Sequence, residues 1–67
     1  MIVLYEYTRQ YWVARDTDGY WLVPVRDGGW DERTPFVGRA GELREVQGPT
    51  GIDLGIDERL LHPAQRR

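Results

Sequence analysis

Side chains able to do covalent chemistry are scarce in this sequence. None of the 67 residues is Ser, Lys, Asn or Cys, and all nine basic residues are Arg. Serine, cysteine and lysine nucleophiles are thereby excluded, which leaves a threonine or a carboxylate for any covalent step. The only histidine, His62, stands directly before Pro63 with no companion ligand nearby in sequence, so neither a metal site nor a proton relay is built on it. Asp16-x-Asp18-Gly19 resembles the opening of a calcium loop, and Asp27 stands twelfth counting from Asp16. The fifth position is Tyr20, however, and both flanks are strand-forming where a calcium loop needs helices, so the run reads as a hairpin turn. Asp31-Glu32 and the pair Asp53 and Asp57 are the remaining acid–base candidates. Adjacent acids on a strand point to opposite sides and no second feature singles out either pair, so both read as solvated surface. The expectation is a non-enzyme with no catalytic residue, no metal and no cofactor.

Binding chemistry is better supplied. All eight aromatic residues, Tyr5, Tyr7, Tyr11, Trp12, Tyr20, Trp21, Trp30 and Phe36, fall within the first 36 positions, seven of them in the first half of the chain. That half is also the acidic one, with four Arg against six acids over residues 1–35 and five of each over 36–67. A domain this small has little interior, so some of these large rings must stay at its boundary. Trp, Tyr and Arg dominate interface energetics, which makes boundary rings beside arginines the natural docking residues. The expected set is Trp12, Tyr20 and Trp30, rimmed by Asp16, Asp18, Asp31 and Glu32, with Arg15 and Arg33 alongside. The exclusive use of Arg agrees with GC-rich coding and equally with a demand for planar, bidentate donors.

The elements that must position these residues are strands. Tyr11-Trp12-Val13-Ala14 and Tyr20-Trp21-Leu22-Val23 flank the Asp-x-Asp-Gly turn, which predicts a hairpin. A bulged three-residue loop with Gly19 in the left-handed position is the expected closure. It would set Val13 opposite Val23 and Ala14 opposite Leu22, giving one face of Tyr11, Val13, Trp21, Val23 and Val25 and another of Trp12, Ala14, Tyr20, Leu22 and Pro24. Both faces are apolar, as are both sides of the first run, Ile2 to Tyr7. Pro24 marks the end of regular pairing or an edge. Thr34 to Gly38 forms a short strand, and Glu42 to Val46 reads as a strand in preference to a helical turn. The aliphatic stretch Ile52, Leu54, Ile56, Leu60 and Leu61 has the composition to cover one sheet face. Asp57 caps a short helical turn that ends before Pro63.

The fold class expected is mainly β: a small bent antiparallel sheet or small barrel of four to five short strands with a short C-terminal helical turn. One domain is expected over residues 1–62, with 63–67 a flexible basic tail. A cysteine-free chain whose opening run is too short for a leader or a membrane span is placed in the cytoplasm.

With no family motif to guide it, the functional expectation is an interaction module. A small accessory or inhibitor protein, of the class that includes phage and plasmid inhibitors and anti-CRISPR proteins, would dock an acidic, aromatic sheet face on a larger protein. A basic, nucleic-acid-binding partner suits such a face, and self-association as a homodimer is the other expected use. The alternative is a small-barrel binder of single-stranded nucleic acid that stacks bases on Trp and Tyr and contacts phosphate through Arg. The acidic first half argues against direct nucleic-acid binding. No membrane partner is expected.

Overall fold

The computed structural model describes residues 1–46 and 51–61. Five short strands form one antiparallel sheet: β1 (Val3–Glu6), β2 (Tyr11–Asp16), β3 (Gly19–Pro24), β4 (Thr34–Pro35) and β5 (Arg44–Glu45). The order across the sheet is β4-β3-β2-β1-β5, so four strands meander and the fifth returns to the far edge beside β1. The protein is mainly β, with 3-10 turns at Gly29–Glu32, Ala40–Glu42, Gly51–Leu54 and Glu58–Leu60 among the described residues. No described helix is long and apolar enough to cross a membrane. His62 and the 63–67 tail lie outside the described residues.

The hairpin forms where expected but closes more tightly. Asp16 pairs with Gly19, leaving Thr17-Asp18 as a two-residue loop in place of the bulged three-residue one. The cause is the Asp16 carboxylate. Its Oδ1 accepts the backbone N–H groups of Asp18 at 2.8 Å and Gly19 at 3.1 Å, and the indole Nε1–H of Trp21 at 3.1 Å. Gly19 has φ 137, a backbone geometry that other residues rarely take. In the expected register Asp16 and Trp21 would point to opposite sides, and the indole bond could not form. A one-residue slip transposes every side chain of a strand, so Val13 opposes Leu22 and Ala14 opposes Trp21. The two faces are therefore Tyr11, Val13, Tyr20 and Leu22 on one side, and Trp12, Ala14, Trp21 and Val23 on the other. The β1 register adds Val3 and Tyr5 to the first and Leu4 to the second.

The C-terminal aliphatic segment covers the second face. Leu54, Ile56 and Leu61 are buried with Ile2, Leu4, Ala14 and Val23, and Trp12, Trp21, Val25, Trp30 and Val46 pack around them. Each such side chain contributes roughly 1.5–3 kcal/mol on burial, before the entropy of ordering it is counted. Ile2 N–H donates to the Leu60 carbonyl, and Ile2 and Leu61 form a parallel bridge that ties this segment to the start of the chain. Ile52 and Leu60, expected to help cover the sheet, instead face solvent. Asp57 does cap the last turn, accepting the Arg59 N–H at 3.0 Å. Between β3 and the Gly29–Glu32 turn the chain approaches itself so closely that a Cβ at Gly29 would lie 1.9 Å from the Pro24 carbonyl oxygen. The segment 42–46 is mixed: Glu42 ends a 3-10 turn, Arg44–Glu45 is strand, and Val46 N–H extends the ladder to the Leu4 carbonyl at 2.8 Å.

Candidate functional site

The first face is roofed by rings. Val13 is fully buried and Val3 nearly so, and both lie outside the cluster that the C-terminal segment covers. Tyr5 on β1 and Tyr20 on β3 lean together over β2, with ring centroids 6.2 Å apart. Tyr7 meets Phe36 edge to face at 5.3 Å. Phe36 is held there by its N–H, which donates to the Tyr20 carbonyl at 3.1 Å and carries the ladder one residue past β4. Neighbouring strands sit about 4.8 Å apart, so side chains that start three strands from each other touch only if the sheet curls toward this face. The bend expected from the sequence thus gives a concave, tyrosine-rich surface. Tyr7 remains 50% exposed, Tyr11 39% and Val37 91%. Arg15 lies on the same face, opposite Val3 and Tyr20. It makes no ion pair among the described residues.

The tryptophans occupy the other side. The Arg33 guanidinium lies 4.0 Å from the Trp30 ring centroid and 5.0 Å from that of Trp21, and its Nη1 donates to the Trp30 carbonyl at 2.9 Å. Its buried Nε finds no hydrogen-bond partner. This stack pins the Gly29–Glu32 turn to the sheet. Burial pushes the nearby Asp16 carboxyl up, but the Trp21 indole, the two loop amides and the charge of Arg33 outweigh it and leave its pKa below the usual value. Asp16 is committed to the hairpin, and Arg33 to two rings.

The expected docking residues are therefore divided. Tyr20 and Arg15 belong to the concave face, whereas Trp12 and Trp30 are half-buried against the core that Leu54, Ile56 and Leu61 cover, and Arg33 is stacked on the Trp30 ring. Asp18 is exposed at the hairpin tip, and Asp31 and Glu32 are exposed on the Gly29–Glu32 turn. Most acids on the covering segments lie away from the concave rings: Asp31 and Glu32 on that turn, and Asp53, Asp57 and Glu58 near the core-covering turns. Several acids are also neutralised locally, Glu32 by Arg26, Glu6 by Arg44 at 2.7 Å and Asp57 by Arg59 at 2.7 Å. Sequence reasoning missed Tyr5, Tyr7 and Phe36 as one surface, because a contact across a curled sheet has no short-range signature. Among the described residues no group of three or more His, Asp or Glu is placed to hold a metal ion.

Comparison with protein-family models, with curated proteins and with solved structures finds no match to this chain.

Proposed function

We propose that the protein is a non-enzymatic, cytoplasmic interaction module, a small accessory or inhibitor protein that docks its concave tyrosine-rich face on a larger protein. One observation carries the reading. Of two apolar sheet faces, the chain's own C-terminal segment covers one, while the other carries the paired rings of Tyr5 with Tyr20 and Tyr7 with Phe36, with Tyr7 and Tyr11 left well exposed to solvent. Tyrosine suits that use because it offers large contact area with few rotatable bonds and a hydroxyl that stays hydrated when unbound. A second reading draws support from Arg15, which shares the face with Tyr5 and Tyr20: single-stranded nucleic acid stacking on the rings with Arg15 on a phosphate.

The test pairs sedimentation of the purified chain with capture from an extract of its source organism, using the wild type beside a Tyr7→Ser, Phe36→Ser variant. A protein retained by the wild type and lost by the variant supports docking, and a concentration-dependent dimer lost by the variant supports self-association. Identical retention by both, with a monomer throughout, overturns the proposal. Saturable oligonucleotide binding that weakens steeply with salt would move the assignment to the second reading.

A further inference from the structure

We infer that the groove at the open end of the β2–β3 hairpin recognises a carboxylate-bearing side chain of an acidic peptide segment, and that Glu32 holds part of its cationic rim in the free protein. The groove has a volume of about 320 Å3 and is lined by Arg9, Gln10, Tyr11, Pro24, Val25 and Arg26. Its apolar wall is the Tyr11 ring with Pro24 and Val25, and its two cations come from the chain on either side of the hairpin.

Four backbone amides there are already committed. Val25 N–H donates to the Gln10 carbonyl at 2.9 Å and Arg26 N–H to the Pro24 carbonyl at 3.0 Å. The Gln10 and Tyr11 amides both donate to Thr8 Oγ1, at 3.2 and 3.0 Å, which fixes the turn that carries Arg9. With these amides committed, charged recognition in the groove falls to the guanidinium groups, with the Gln10 carboxamide as a neutral donor beside them. Arg9 has no acidic partner among the described residues. Arg26 pairs with Glu32 in a bridge whose two side chains are more than half exposed. An exposed pair of this kind is worth little to stability, so an incoming carboxylate can replace Glu32 at small cost. Guanidinium forks match carboxylates in two-point geometry, and the apolar wall accommodates the hydrocarbon stem or a neighbouring aliphatic residue.

The inference deepens the docking reading and rests on it, because Tyr11 belongs both to the groove and to the concave face. The test is a titration of the isotope-labelled full chain, followed by amide chemical shifts, with N-acetyl-leucyl-glutamate amide, its glutamine counterpart and inorganic phosphate. The glutamate peptide is expected to shift the amides of Arg9, Gln10, Tyr11, Val25 and Arg26 saturably, and the glutamine peptide to leave them in place. Arg9→Ala and Arg26→Ala each weaken binding by about tenfold, the scale of one charge-assisted contact, and Glu32→Gln tightens it several-fold. Equal shifts with the glutamine peptide, equal saturation by phosphate alone, or no shift at all overturns the assignment. If the groove is silent while partner retention still depends on Tyr7 and Phe36, only the groove falls. If the groove binds while retention ignores those rings, the docking face falls instead.

Discussion

The two faces of this sheet solve the same burial problem with different materials. On the face covered by the C-terminal aliphatic segment a second layer of chain brings Leu54, Ile56 and Leu61 down on Leu4, Ala14 and Val23. On the concave face Val3 and Val13 are buried on the side that carries the ring pairs Tyr5–Tyr20 and Tyr7–Phe36. A covering layer excludes water and any visitor together. A roof of rings also excludes water, yet its outer surface is what a partner would touch, so the proposed docking function would set recognition on the side opposite the covered core. The sharpest way to break that division is in the core. Leu54→Ala empties a fully buried site and is expected to cost about 3–4 kcal/mol, close to the whole stability of a domain this size. Val13→Ala, equally buried but beneath adjustable rings, should cost less, about 2 kcal/mol, since the roof can settle into the space. Urea unfolding of both variants checks the order, and a reversed order would mean that the ring face is the main core.

Smaller effects sharpen the same contrast at the tryptophan edge. Arg33→Ala removes the cation held between Trp21 and Trp30 and the donor to the Trp30 carbonyl, for an expected loss of about 1–2 kcal/mol with a red shift in tryptophan emission. Asp16→Asn should cost about 1 kcal/mol and change the response to acid. The Asp16 pKa lies below its unfolded value of 3.8, so its contribution is fully present above that pH and is lost as the pH falls through the folded value. Stability of the wild type should therefore decline more steeply below about pH 4 than that of the variant, measured by urea midpoints across that range. Parallel curves would show that the carboxylate charge adds nothing to the turn.

Asp16 also shows where the sequence was legible and where it was not. The alternation of Tyr11 to Ala14 and Tyr20 to Val23 identified both strands, the turn between them and the apolar character of both faces, because period and turn chemistry are local. The loop length went wrong by one residue because Asp-x-Asp-Gly suits either closure. The deciding contact is the Trp21 indole on the Asp16 carboxylate, a tertiary bond that binary pattern does not encode. That one residue exchanged the β3 side chains between faces, sending Trp21 to the core and Tyr20 to the concave surface. The aliphatic C-terminal segment was recognisable as a cover by composition, though not which of its residues turn inward. Ile52 and Leu60 face out because 3-10 turns present only part of each short segment to the sheet. The residues expected to dock together are divided between the two faces, which is the expected result when a face depends on register.

Val37 gives the smallest stability effect and the cleanest separation of the two roles. It follows Phe36 in the chain, at the edge of the ring roof, and is 91% exposed. A side chain that makes so few contacts cannot support the fold, and Val37→Asp should leave the unfolding midpoint within about 0.5 kcal/mol of wild type. An exposed apolar residue beside a concave aromatic surface nonetheless becomes buried when a partner lies on that surface, and a carboxylate there would have to be desolvated without a counter-charge. The expected outcome is unchanged stability with capture of the partner reduced at least tenfold, a loss on the scale of burying one unpaired polar group. Unchanged capture would place the contact elsewhere on the molecule, and the division of labour between the faces would lose its functional half while the difference in their packing remained.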